Sequence, residues 1–200
     1  MGSNATHVTA NDIETQIKLR SGFCLDGVVP RPVATPTAGA LVITEFLANP
    51  AGTADAQREW FEIMNTGATA FDMNGLELAR SGVAGNLIST TTCKPVPAGG
   101  FALFARSADP ALNGPLPPVD DTFAFSLPDS NGSIEVRNGA TILDAITWTT
   151  GIVSGQSKQL DPGFLTVIGN DTTTNFCNST VPYGDNTNTG SPKVGNTPCP

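Results

Sequence analysis

The sequence predicts an all-β fold, and three observations carry that prediction. Glycine and proline are frequent, 21 and 16 of 200 residues, while charged residues make up only 14% of the chain, so it has many turns and few of the Lys/Glu/Ala runs that long helices use. From Leu41 onward, short apolar segments follow one another, each bounded by Gly, Pro, Asn or Asp, with no helix-length pattern between them. Several of them alternate: in Thr-Phe-Ala-Phe-Ser-Leu, Phe123, Phe125 and Leu127 share one face and Thr122 and Ser126 the other, as in a sheet with one wet side. Short strands at steady spacing point to an antiparallel sandwich or barrel rather than β-α-β units.

Taken in order, residues 1–39 read as an expression-tag remnant followed by a Pro-rich linker. MGSNATHV has neither a basic nor an apolar stretch of the kind an export signal needs, so any such signal is expected to lie outside this sequence. In VVPRPVATPTAGA, prolines and small residues are expected to prevent a regular ladder. NDIETQIKLR is compatible with a helical turn or two, or with the last strand of a preceding module. The domain proper is expected over 40–169, with strands in LVITEFLA, EWFEIMN, FDMNGLELAR, NLISTT, GFALFAR, TFAFSL, GSIEVRN and ATILDAITWT. Asn138-Gly139 predicts a two-residue hairpin turn, which would set Ile134 opposite Leu143 and Val136 opposite Thr141. That register leaves Ile142, Ile146 and Trp148 on the polar side, so either this strand is buried on both faces or a bulge near Asp144 switches it over. Residues 170–200 are too rich in Asn, Thr, Gly and Pro to build a core. They are expected to wrap the domain as coil held by Cys177, Tyr183 and Cys199.

Charge and composition exclude several function classes. The net charge is −8, and the basic residues are scattered, which disfavours a phosphate-backbone binder and so a nucleic-acid partner. No apolar run approaches membrane-spanning length. The single histidine, His7, lies in the tag-like segment, so the domain can build no Ser-His-Asp, Cys-His or His-based zinc site. No nucleophile elbow, phosphate loop or dinucleotide fingerprint is present. Carboxylates are what remains for catalysis.

Glu45, Glu59 and Glu62 sit inside two apolar strands. Along Arg-Glu-Trp-Phe-Glu-Ile-Met-Asn, Glu59, Phe61 and Ile63 project to one face and Trp60, Glu62 and Met64 to the other, so Glu59 and Glu62 cannot form a dyad. A glycosidase-like pair would need Glu45 opposite one of them in a cleft. The plainer expectation is that these carboxylates accept hydrogen bonds at strand ends. No metal or other cofactor is expected, although the loop residues Asp120, Asp121, Asp129, Asp161, Asp171 and Asp185 are oxygen donors that calcium could use. Trp60, Trp148 and Tyr183 would form a stacking platform for a polymer if exposed, and part of the core if buried.

Cys24, Cys93, Cys177 and Cys199 are widely spaced and even in number, which favours two disulfides and an oxidising compartment over a metal knuckle. Three pairings are open in principle. The pairing expected is Cys93 with Cys177 and Cys24 with Cys199, the second tying the two tails together.

Ile43, Glu45 and Pro50; Glu59, Trp60, Phe61, Glu62, Ile63 and Asn65; and Asp72, Met73, Gly75, Leu76 and Leu78 occupy three spaced motifs that resemble the opening of a lamin tail domain. VPAGGFALFARS, the late strand with Asp144, and the closing NTGSPKVGN resemble that family's later segments, so the likeness covers about residues 40–197. The resemblance implies an immunoglobulin-like β-sandwich whose motif residues are structural. It also implies a non-catalytic binding, anchoring or spacing module, here closer to the exported bacterial branch than to the nuclear one. The partner would be an unknown protein or a cell-surface polymer, in an extracellular or cell-surface location. A polymer-binding (polysaccharide or DNA) targeting module attached to a hydrolase and a carboxylate-based hydrolase are the alternatives.

Overall fold

The computed structural model describes residues 22–52 and 55–200. His7 and the segment NDIETQIKLR, for which a turn or strand was considered above, lie outside the described residues. The first ladder is a ribbon of β1 (Phe23–Asp26) and β2 (Val29–Pro32). It forms where prolines were expected to prevent one. A two-stranded ribbon leaves each strand one open edge, and there a missing proline N–H costs no ladder bond.

Two larger sheets enclose the core. One contains β3 (Leu41–Leu47), β4 (Trp60–Asn65), β9 (Phe101–Ala105), β10 (Asp121–Thr122), β13 (Lys158–Leu160) and β14 (Phe176–Asn178), in the order β10-β9-β4-β3-β13-β14. The other contains β6 (Leu76–Arg80), β7 (Val83–Leu87), β11 (Gly132–Asn138) and β12 (Thr141–Trp148), in the order β12-β11-β6-β7. Small ribbons complete the fold, β5 (Phe71–Asp72) with β8 (Pro95–Val96) and β15 (Pro182–Tyr183) with β16 (Asn188–Thr189). The only α-helix among the described residues is the single turn Asp55–Arg58, and no described helix is long and apolar enough to cross a membrane.

Strand alternation sorts the side chains into two apolar layers. Ile43, Phe46, Phe61, Ile63, Ala102 and Phe104 point from the larger sheet towards Leu76, Leu78, Ile134, Val136, Ile146 and Trp148 of the smaller one. Leu47, Trp60, Leu103 and Ala105 point the other way, to a second layer closed by Leu116, Val119 and Tyr183. A sheet buried on both faces needs a cover on its outer side, and here loop segments and the β15–β16 ribbon provide it.

Three details depart from the sequence reading. The β11–β12 turn is centred on Gly139-Ala140, with Asn138 paired to Thr141, because Gly139 alone takes a positive φ, 58°, at the first central position. A bulge then shifts the register, so that Val136 faces Asp144 and Ile134 faces Ile146. Of the two alternatives left open for this strand, the bulge near Asp144 is the one found; it leaves Ile142 exposed and buries Ile146 and Trp148. In TFAFSL only Thr122 belongs to a ladder, yet Phe123, Phe125 and Leu127 are buried and Ala124 and Ser126 exposed. Alternation survived without the ladder because apolar burial, not strand pairing, fixes those side chains.

The disulfides are Cys24 with Cys93 and Cys177 with Cys199, which corrects both expected pairs. Local geometry decides it. The ribbon edge at Leu25 bonds to Thr91 and Cys93, which sets Cys24 beside Cys93 at a Cα separation of 4.9 Å. Cys199 reaches β14 because its N–H donates to Asp161 and Gln159 holds Thr197. The first ribbon is fastened to the segment before β8 and the C-terminal tail to β14, rather than one tail to the other, and the described residues contain no free cysteine. Two disulfides fit an oxidising compartment.

Candidate functional site

Glu45 and Glu62 form the centre of the outer layer. A bulge at Thr44 resets β3 against β4, so that Ile43 faces Ile63 while Glu45 faces Glu62. Both carboxylates thereby project to the outer side with Trp60, and both are completely buried. Two carboxylates in direct cross-strand opposition repel unless neutralised or hydrogen-bonded.

The hydrogen-bond donors come from the tail and from Ser157 and Thr44. The Ser191 backbone N–H donates to both oxygens of Glu45, at 2.9 and 3.1 Å, and the Ser191 and Ser157 hydroxyls donate to the same carboxylate. The Lys193 N–H donates to Glu62 at 2.8 Å, and the Thr44 hydroxyl donates to its other oxygen. Asn196 completes the clasp by donating to the carbonyls of Thr44 and Leu160. Lys193 takes a left-handed φ of 63°, which aims its N–H inward while its ammonium pairs with Asp120 at 2.8 Å. Burial pushes Glu45 up to about 7 against the pull of the serines, and raises Glu62 well above the carboxylate range, with the Glu45 charge adding to it.

Two more groups seal the layer. Trp60 donates its indole N–H to the Tyr183 hydroxyl at 2.8 Å and meets that ring edge to face. Burial raises the Tyr183 pKa, which keeps the phenol protonated. Gly190 lies flat on this surface: a Cβ there would come within 2.8 Å of the Trp60 ring and 3.1 Å of a Glu45 oxygen.

The other motif residues have separate structural tasks. Glu59 accepts from Leu127 N–H and pairs with Arg106; it is remote in role from Glu62, as the strand alternation requires. Phe61 is core. The Asn65 side chain bonds to the carbonyls of Thr69 and Val96 and to Gly67 N–H, fixing the turn after β4. Asp72 accepts from Asn74 and Lys94, Gly75 supplies a φ of 92°, and Pro50 is buried beyond the end of β3. Asp144 crosses between sheets to accept from Ile43 N–H, while Asn170 donates both to Asp144 and to the Ile43 carbonyl. The two side chains replace a neighbouring strand that Ile43 lacks. Burial lifts Asp144 to about 7.

The arrangement holds a chain segment; it offers no open acid–base pair. Among the described residues, the one group of three potential metal-ligating side chains is Cys24, Asp72 and Cys93, and there the sulfurs are joined to each other. Of the loop aspartates considered for calcium, Asp120 and Asp121 pair with Lys193 and Lys94, Asp185 pairs with Arg58, and Asp161 accepts from Gly163 and Cys199. Both tryptophans are buried, so neither supplies a stacking platform.

Sequence reasoning singled out every carboxylate of this layer but not the donors. Ser191, Lys193 and Asn196 stood only inside the closing segment, and Thr44, Ser157 and Asn170 carried no signal, because a small polar residue that bonds a distant carboxylate looks like any other loop residue. No family model matches the chain, and no curated protein matches it either.

Proposed function

We propose that this chain is a non-catalytic binding, anchoring or spacing module, an immunoglobulin-like domain of the lamin-tail kind, in an exported bacterial multidomain protein. The observation that carries the reading is the use to which Glu45 and Glu62 are put. Their four oxygens are occupied by donors from the chain's own tail and from neighbouring strands, leaving no room for a substrate beside them. A carboxylate hydrolase would need that pair open to solvent and spaced around a glycosidic bond. Two disulfides that fasten both tails support a role outside the reducing cytosol, where a module must keep its shape without a partner's help.

The test is to produce the chain both with an export leader and in a reducing cytosol, and to assay each product on glycoside, ester and phosphodiester reporters. The reading expects a folded, fully oxidised exported form with no turnover. Turnover by that form, abolished by Glu62→Gln with the fold intact, would overturn it in favour of a hydrolase.

A further inference from the structure

Among the described residues, the smaller sheet ends on β12, the longest strand to lie at a sheet edge, and no strand pairs with the outer side of its second half. Natural sheets blunt such edges with charge, proline, bulges or a covering segment. At the opposite edge, β7, the Ala124 N–H donates to the Asn86 side chain. On β12 the bulge disturbs only the stretch around Leu143, and Ala145–Thr150 contains neither a charge nor a proline. The Asn131 N–H bonds to the Thr149 carbonyl, so Thr149, Thr147 and Ala145 face β11. By antiparallel alternation the N–H and C=O groups of Ile146 and Trp148 point outward.

Beside this edge the two sheets part into a groove of about 100 Å³, lined among others by Phe46, Trp148, Phe176, Thr173 and Lys158. Its floor is aromatic. Phe46 stacks on Trp148 at 4.5 Å and meets Phe176 edge-on at 6.0 Å. The Trp148 indole N–H is fixed on the Pro128 carbonyl, and its ring lies over Gly132, where a Cβ would come within 2.1 Å of it. At the rim stands Lys158. Most described cations are engaged in ion pairs, with Asp or Glu partners for Arg31, Arg58, Lys94, Arg106, Arg137 and Lys193, but Lys158 is in none of them. Partial burial lowers its pKa, so an incoming carboxylate would restore the stabilisation that the ammonium has lost.

We propose that the open edge of β12 is the docking site of an extended peptide that carries an apolar side chain for the aromatic groove and a carboxylate, two residues away on the same face, for Lys158. The partner is a protein segment recognised by strand addition. Main-chain bonds to Ile146 and Trp148 supply affinity, and alternate side chains supply selectivity. The charge match comes from one ammonium in a chain of net charge −8, which would repel a generally acidic partner and admit a single well-placed carboxylate. The proposal rests on the reading of the chain as a binding module and names the class of ligand.

The probe is the hexapeptide acetyl-Thr-Phe-Thr-Glu-Thr-Val-amide, titrated into the oxidised full chain to about 1 mM and followed by amide NMR and hydrogen exchange. Saturable shifts confined to β12, Phe176 and Lys158, with slowed exchange at Ile146 and Trp148, are expected. Replacing the peptide Glu by Lys should weaken binding roughly tenfold, and Lys158→Glu should restore it for that second peptide. The first comparison needs no protein variant, so misfolding of Lys158→Glu cannot mask the answer. Absence of saturable shifts, or equal binding by a backbone N-methylated peptide, would overturn the proposal. So would concentration-dependent self-association that protects the same amides, since the occupant would then be a second copy. None of these failures touches the module reading, which stands or falls on turnover and oxidation state.

Discussion

Glu62 is held in a place where its charge is expensive, and its two oxygens have unlike partners. The Thr44 hydroxyl can either donate or accept, whereas the Lys193 N–H can only donate. A glutamine can therefore keep its oxygen on Lys193 and turn its amide towards the Thr44 oxygen. Glu62→Gln is expected to leave stability unchanged or raised at pH 8, by up to about 1 kcal/mol, because it removes a desolvated charge beside Glu45. Glu62→Ala strands the Lys193 N–H over a cavity and should cost about 3 kcal/mol. The pH dependence follows from the same burial. Glu45 and Asp144 titrate near 7 in the fold instead of at their ordinary 4.5 and 3.8, and Glu62 is also raised. Between about pH 4.5 and 7 the folded chain thus binds more protons than the unfolded one, and stability falls as pH rises through that window. Urea midpoints at pH 5 and pH 8 should differ in that direction, and less so in Glu62→Gln. A midpoint that rises towards pH 8 would show that hydrogen bonding to the ionised carboxylates outweighs their desolvation.

At the scale of elements, the segment from Gly190 to Asn196 does a strand's work without being one. It lies across β3 and β4 and satisfies carboxylates with backbone N–H groups, so its contribution depends on close approach. Gly190→Ala forces a methyl group into the Trp60 ring and Glu45 and should cost about 2 kcal/mol, within the range for overpacking, with a shift in Trp60 emission as the clasp lifts. Cys199→Ser leaves those contacts but releases the loop closed over 22 residues; about 3 kcal/mol is expected from loop entropy, together with faster proteolysis confined to the last residues. This division also explains what could be read in advance. β3, β4, β9, β11 and β12 announced themselves as short apolar runs bounded by turn residues, and the burial of Phe123, Phe125 and Leu127 followed from strand-period alternation even without a ladder. The ribbon at Phe23–Pro32, the short β13 and β14, and the tail carried no periodicity, since each has too few residues to show one. The carboxylates were conspicuous because charge inside an apolar strand demands a partner. Their partners were invisible because a backbone N–H has no letter in the sequence. Cysteine pairing failed for a related reason: which tail crosses which sheet is decided by single hydrogen bonds, such as Cys199 N–H to Asp161, that no spacing encodes.

The whole molecule distributes its stability between a packed interior and two staples that close separate loops, 24–93 and 177–199. Because the loops do not overlap, their effects should add. The longer loop, spanning 69 residues, is worth about 4 kcal/mol by loop entropy and the shorter about 3 kcal/mol. Together, about 7 kcal/mol, they match the lower part of the roughly 5–15 kcal/mol by which a domain of ordinary size is stable. The outer layer is especially exposed to their loss. Much of its cover is coil, which is held by Cys199 at one end and by hydrogen bonds to two buried carboxylates along its length, and coil regains much conformational freedom once released. Reduction and alkylation of all four cysteines should therefore do more than lower the melting temperature: at 37 °C and pH 8, where the carboxylates are least favourable, the reduced chain is expected to lose its near-ultraviolet circular dichroism and its dispersed amide spectrum. At pH 5 it should recover part of both, since protonated Glu45, Glu62 and Asp144 no longer oppose burial. A reduced chain that stays fully folded at pH 8 would mean that packing between the two sheets suffices alone, and the staples would then no longer argue for an oxidising compartment.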